Sequence, residues 1–119
     1  MDFWKKALKE RQAIVLATSS KDGRSRAIAV LSLGIIDNKI LIGACLMKKT
    51  LENIKENNKV SIVANEDKHY FRIDGTASVY SSGKYLNLAI SKSNPPLPKS
   101  AILVGISEVV DLETGKKII

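Results

Sequence analysis

The sequence is poor in the residues that build disulfides, metal sites and aromatic surfaces. Its 119 residues include one cysteine, Cys45, and one histidine, His69, and aromatic residues make up 5%. A single cysteine excludes an internal disulfide and any site made of several cysteines. So few aromatic residues leave little material for a platform on which nucleic-acid bases could stack.

Long apolar runs are also missing. No run approaches the roughly 20 residues that a helix needs to span a bilayer. The first twelve residues, "MDFWKKALKERQ", contain neither an apolar signal-peptide core nor a cleavage site. We therefore expect a cytoplasmic protein without membrane attachment.

Positive charge is what the sequence has in excess, with a formal net charge of +7 at pH 7. Such an excess suggests nucleic acid or an anionic ligand as a partner. The lysines are scattered through every segment instead of forming one dense block. A solvated basic surface is the simpler explanation, and a small barrel that binds nucleic acid is kept as the alternative.

The usual catalytic patterns do not occur. There is no phosphate-cradling glycine loop and no dinucleotide-binding glycine fingerprint. His69 lies in a charged loop, while Asp74 and Glu108 fall on separate predicted strands. The sequence therefore predicts no catalytic side chain and no metal ligand.

Apolar runs and alternating segments predict a mainly β protein with short helices. We predict strands at residues 13–20, 25–36, 40–44, 59–65, 70–80 and 101–112. A first helix should run from an Asp2 cap to residues 11–12, a second should follow Thr50, and a third should cover 81–92. Tight turns such as "KDGR" favour antiparallel pairing. We expect one domain over residues 1–119, a small filled barrel whose ligand lies outside it or between subunits.

The segment "MKKTLENIKENN" places two lysines at the start of the second helix. Thr50 is the expected N-cap, and Lys48 and Lys49 precede it. Cations at this end oppose the helix dipole by up to about 1 kcal/mol. An anion held by the first-turn amides, the threonine hydroxyl and the ammonium groups would reverse that penalty. If both lysines instead point into water, screening makes the penalty negligible; the spacing leaves both possibilities open.

The order of the elements and two segments resemble a known family. An Asp-Gly hairpin, "RSRAIAV", a second hairpin and "ILIGACLMKKTLENIKENNKVSI" precede "FRIDGTASVY". This series resembles the FMN-binding split-barrel family, which includes pyridoxamine 5'-phosphate oxidase. It is most similar to the short members, such as the small FMN-binding proteins of sulfate-reducing bacteria. The resemblance covers nearly the whole chain.

The resemblance implies a Greek-key split barrel that forms a homodimer and holds FMN at the subunit interface. The start of the helix would bind the FMN phosphate, and the strand end before it would lie along the isoalloxazine ring. Residues 94–97 would contact the flavin from the second subunit. The implied cofactor-binding residues are Arg26, Ala27, Ile28, Ala29, Val30, Gly43, Ala44, Cys45, Leu46, Lys48, Lys49 and Thr50.

The same resemblance implies a redox function, either electron transfer or an oxidoreductase reaction with a small-molecule or protein partner. The arginine- and tryptophan-rich C-terminal segment of the oxidases has no counterpart after Leu112, so oxidation of pyridoxamine phosphate is not expected. Two related alternatives stay open. The barrel could serve a deazaflavin-dependent reductase, or it could be a structural partner that has lost its cofactor.

Overall fold

The positions of the strands follow apolar runs and the alternation of apolar and polar side chains. The computed structural model describes residues 3–119. The elements, in chain order, are α1 (Phe3–Lys6), β1 (Ala13–Ser19), β2 (Ser25–Ile36), β3 (Lys39–Ala44), α2 (Lys48–Glu56), β4 (Lys59–Glu66), β5 (His69–Tyr80), α3 (Lys84–Ser91) and β6 (Ser100–Asp111).

The six strands close into an antiparallel barrel in the order β1-β2-β3-β6-β5-β4. Three consecutive strands are followed by a fourth that returns to lie beside the first, which is the Greek-key arrangement. The prediction of a mainly β fold with short helices in a small antiparallel Greek-key barrel is therefore confirmed.

Within residues 3–119, one edge of β2 is unpaired over the first half of the strand. Residues 25–31 of this strand pair with β1, whereas β3 pairs only with its second half, from Ser32 onward. In the described part of the chain, no strand pairs with the other edge of residues 25–31. The chain leaves β3 at Ala44 and enters α2 next to this edge, so a backbone edge and a helix start lie side by side.

Two hydrophobic clusters hold the molecule together. The larger fills the barrel and includes side chains that exclude water almost completely, such as Leu16, Ile62 and Ile73. The smaller lies between α3 and the outer side of β3 and β6, around Leu41 and Ala89. Because β3 is covered on both sides, its apolar residues run consecutively instead of alternating.

Two predicted helices are shorter than expected. The first was predicted to reach residues 11–12, but α1 ends at Lys6 and is followed by single turns such as Ala7 N–H to the Trp4 carbonyl, 3.1 Å. Arg11 has a φ of 71°, a left-handed conformation that no α-helix can include. The third begins only at Lys84 because Gly83 has a φ of 88°. The predicted Asp2 cap lies outside the described residues.

Candidate functional site

The second helix starts earlier than predicted, and Thr50 is not its cap. Met47 occupies the N-cap position, and the first intrahelical bond joins Leu51 N to the Met47 carbonyl at 3.0 Å. Thr50 is the third helical residue and is 2% exposed, because its side chain turns toward the core beside Ile54. Within residues 3–119 no side chain caps this helix. The amides of its first turn are therefore left for an external acceptor.

A groove of about 470 Å³ lies between the start of α2 and the open edge of β2. Small and branched side chains of β2 form its floor, and the first turn of α2 forms one wall. The residues that line it are Arg26, Ile28, Ala29, Val30, Leu46, Met47, Lys48, Lys49 and Thr50.

The cations of this groove differ in how far they are neutralised. Lys49 lies 3.5 Å from the Glu52 carboxylate, one turn along the helix. Across the part of the chain that the structure describes, no carboxylate lies within ion-pair distance of Arg26 or Lys48. Two uncompensated positive charges therefore share the groove with the positive end of the helix dipole.

A second cavity, of about 350 Å³, continues the first. The two share Ala29, Val30, Leu46 and Met47. Gly43 and Cys45 at the end of β3 form one side, and the loop of residues 93–98 forms the other. Arg11 and Lys92 lie at the far end.

The proline-rich loop is held against the end of β3 by several contacts. The amide of Lys99 donates to the Ala44 carbonyl at 3.0 Å, and the Cys45 thiol donates to the Pro96 carbonyl at 3.5 Å. A Cβ on Gly43 would come 3.2 Å from the Cβ of Pro98, so the loop packs directly on this glycine. The wall is therefore built by the same chain that supplies the groove.

Ten of the twelve predicted cofactor-binding residues line the two cavities. The exceptions are Ala44, whose side chain is 1% exposed in the barrel core, and Ala27, which is exposed on β2 opposite Ala17 of β1. Whether the ten bind a cofactor stays a prediction. Residues that sequence reasoning missed are Met47, Arg11, Leu31, Leu33, Lys92, Ser93 and Pro98.

Groups whose pKa is displaced lie elsewhere. Hydrogen bonds from Lys84 and Tyr85 lower the pKa of Asp37, and the same contacts raise the pKa of Lys84 and of Tyr85. None of these three groups lines either cavity. The groove thus offers fixed positive charge and shape for binding.

None of the helices in residues 3–119 is both long and apolar enough to cross a membrane.

Comparison with known proteins gives a family and a relative. The family model described as pyridoxamine 5'-phosphate oxidase matches residues 1–111. An uncharacterized protein of Methanocaldococcus jannaschii is 35% identical over 114 residues, which cover 89% of this chain and 76% of that protein.

Solved structures share the fold at lower sequence identity. HupZ of Group A Streptococcus superposes with a TM-score of 0.85 at 20% identity, over 97% of this chain and 95% of that one. An FMN-binding protein of Syntrophomonas wolfei gives 0.70 at 15%, over 90% and 80%. An F420 reductase gives 0.71 at 18%, over 92% and 97%. At these identities the likeness shows the fold.

Proposed function

Because the chain belongs to the pyridoxamine 5'-phosphate oxidase family, we propose that it is a redox flavoprotein that binds FMN in the groove between β2 and α2. The observation that carries the proposal is the convergence of Arg26, Lys48, Lys49 and the uncapped first turn of α2 on one groove. Charged donors and helix amides are the groups that bind phosphate in proteins.

The donor set of the groove fits a phosphate monoester at one end. Arg26 and Lys48 carry charge that no carboxylate of the described residues compensates, and the backbone amides of Lys48 and Lys49 have no intrahelical acceptor. A phosphate there would remove the repulsion between the lysines and the helix dipole. The otherwise unfavourable placement of the two lysines is thereby explained.

The middle of the groove fits a flat ring. Ala29 and Gly43 keep the floor low, and Val30, Leu46 and Met47 add apolar surface. The open edge of β2 presents backbone groups along residues 26–30. FMN would supply the redox chemistry by accepting and releasing a hydride or electrons, while the chain binds the cofactor, orients it and limits its access to water.

We propose that two chains pair through the outer face of β1, β2 and β4. Opposed residues on neighbouring strands project to the same side of a sheet. Val15 lies opposite both Ala29 and Val63, and their neighbour Leu31 is 49% exposed. This apolar face borders the groove through Ala29 and Leu31, so a second chain seated on it would also cover the cofactor.

Two alternatives are less well supported. The F420 reductase with the same fold makes a deazaflavin the second candidate for this groove. Binding of nucleic acid bases would need exposed aromatic residues on one face. Phe71 is buried, Tyr80 packs on Tyr85 with ring centroids 5.0 Å apart, and only Tyr70 of the three aromatics on β5 is substantially exposed.

The absorption spectrum of the purified protein tests the cofactor. We expect flavin bands, or their appearance after FMN is added, with FMN released on denaturation. Binding of the deazaflavin in preference to FMN would favour the second candidate. A colourless protein that takes up neither compound would contradict the proposal.

Lys48→Gln tests the phosphate end. We expect the Kd for FMN to rise by about tenfold to about a hundredfold, because a charge-assisted hydrogen bond contributes roughly 1.5–3 kcal/mol. Isothermal titration calorimetry gives the Kd. Lys55→Gln, an exposed change at the other end of α2, is the control and should leave the Kd unchanged. Riboflavin, which lacks the phosphate, should bind both variants equally.

A further inference from the structure

The groove and the second cavity together form one continuous space that is positive at both ends. A single phosphate can occupy only one of these ends. Arg26, Lys48 and Lys49 lie at the α2 end, whereas Arg11 and Lys92 lie at the end of the second cavity. The stretch between them is small or apolar. Each cavity alone has the size of a small-molecule pocket. The Arg11 end is therefore left without a role in holding the phosphate.

The two cations at this far end are not equivalent. Lys92 lies 3.2 Å from the Glu10 carboxylate, which compensates its charge. Arg11 donates one hydrogen bond from Nη2 to the Lys92 carbonyl at 3.4 Å, and no carboxylate of residues 3–119 lies within ion-pair distance of it. The guanidinium keeps further donors for a ligand, in a planar arrangement that suits a carboxylate.

Arg11 is held in place by its backbone. Its left-handed φ of 71° is uncommon for a residue with a side chain. Its amide donates to the Ser32 carbonyl at 2.8 Å, and Ser32, fully buried, donates from its hydroxyl to the Leu8 carbonyl at 2.6 Å. Such conformations persist where surrounding contacts impose them. The arginine is thereby presented at the rim of the second cavity.

The walls of the cavity at the Arg11 end are mixed. Leu31 and Leu33 from β2 and Pro96 and Pro98 from the loop supply apolar surface, and Ser93 and Asn94 add polar groups. A ligand that fits this end of the cavity has a flat or apolar body and an anionic group at one end.

We propose that the Arg11 end of the second cavity is the binding site for the second ligand of the groove, a small organic acid that approaches the flavin with its carboxylate on Arg11. This inference rests on the proposed function, because it names the chemical class of the substrate that the flavin site accepts. Arg11 is the specificity-determining residue, and Lys92 becomes a second anion donor only when Glu10 releases it.

Benzoate and benzamide test the proposal, because they have nearly the same shape and differ in charge. Each is titrated into the FMN-loaded protein at constant ionic strength, and the amide shifts of Gly43 and Asn94 in nitrogen–proton correlation spectra give the Kd. We expect benzoate to bind about tenfold more tightly than benzamide, as one charge-assisted contact allows. Equal Kd values would overturn the proposal.

Variants test whether Arg11 causes the preference for benzoate over benzamide. Arg11→Gln should abolish it, Arg11→Lys should keep most of it, and Lys68→Gln, an exposed charge that lines neither cavity, should leave it unchanged. Glu10→Gln, which frees Lys92, should enlarge it. A preference that survives Arg11→Gln contradicts the assignment. If Arg11→Gln changes the reduction potential of the bound flavin but not the preference for benzoate, the assignment is also contradicted. The Arg11 charge would then act on the flavin and not on the second ligand.

FMN uptake and probe preference separate the proposed function from the present inference. Failure of the wild-type protein to take up FMN contradicts the proposed function, and the same titration of the flavin-free protein then decides the anion preference. FMN uptake together with equal Kd values for the two probes contradicts only the present inference.

Discussion

At the scale of single residues, Gly75 shows how a glycine at a buried position of a strand predicts local geometry. It takes an inward position in the alternation of β5, between Ile73 and Ala77, and a lone glycine in such a strand indicates a bulge or a close approach. The structure confirms the bulge, because the pairing of β5 with β6 shifts between Asp74 and Gly75. A Cβ here would collide with the Gly105 carbonyl oxygen and lie 2.8 Å from Val104 Cγ1. The backbone of β6 therefore occupies the space that a side chain at residue 75 would need.

Gly75→Ala should lower the free energy of unfolding by about 1–3 kcal/mol, the usual cost of adding volume to a packed site. Urea denaturation gives this value. Gly105→Ala is the matched control on the facing strand, because its nearest neighbour would be the Thr76 carbonyl oxygen at 3.8 Å. We expect the control to change stability by less than about 1 kcal/mol in either direction. Equal losses in both variants would show that the close approach at Gly75 is not the cause.

At the scale of elements, a charged contact joins the β2–β3 turn to α3. Asp37 and Asn38 have φ values of 53° and 63°, which Asp and Asn tolerate in a tight hairpin turn. The Asp37 carboxylate accepts hydrogen bonds from Lys84 Nζ at 2.9 Å and from Tyr85 Oη at 3.0 Å. The turn thereby fixes the start of α3, the helix that leads into the proline-rich loop of the groove.

This contact makes part of the stability depend on pH. The hydrogen bond from Lys84, then that from Tyr85, lowers the pKa of Asp37 below 3.8. A carboxyl group with a lowered folded-state pKa stabilises the fold fully above its unfolded pKa, and this contribution is lost as the pH falls through the folded value. We expect the stability difference between wild type and Asp37→Asn to be constant from pH 5 to 8 and to shrink below about pH 4.

Urea denaturation at a series of pH values measures that difference. Asparagine tolerates the left-handed backbone of residue 37, so the variant tests the charge and leaves the turn intact. Because the group is exposed, 0.5 M salt should reduce the difference at neutral pH. A difference that stays the same at pH 7 and pH 3 would mean that the charged contact contributes nothing.

At the scale of the whole molecule, the closed barrel leaves one apolar face outside. Val15 and Val63 are 39% and 37% exposed on this face although they occupy the middle of paired strands. We predict that Val15→Glu converts a dimer into a monomer and weakens FMN binding, because the proposed interface also covers the groove. Light scattering after size exclusion measures the mass, and calorimetry measures the Kd.

The control for this prediction is Leu112→Glu. Leu112 is 43% exposed and follows β6, which lies opposite β1 in the barrel. We expect this variant to keep the mass and the Kd of the wild type. A wild-type protein that is monomeric while it binds FMN with full affinity would contradict the proposed interface.

Much of the fold could be predicted because its signals are local. Apolar runs and alternating segments predicted all six strands to within one residue at each end, and the Asp-Gly and Asp-Asn turns predicted which of them form hairpins. The ends of helices were less predictable. Neither the hydrophobic spacing of α1 nor the threonine at residue 50 shows that Arg11 adopts a left-handed conformation or that Met47 precedes the helix, since both depend on contacts with distant residues.

The sequence by itself determined the strands, the turns, the surplus of positive charge and the pair of lysines that predicted an anion site. Only the tertiary structure decided which cations face one groove. Arg11 and Lys92 are 81 residues apart in the chain, yet the Arg11 guanidinium donates a hydrogen bond to the Lys92 carbonyl. Local patterns report on neighbours along the chain. A binding groove is made by barrel closure, which brings together residues that no local pattern connects.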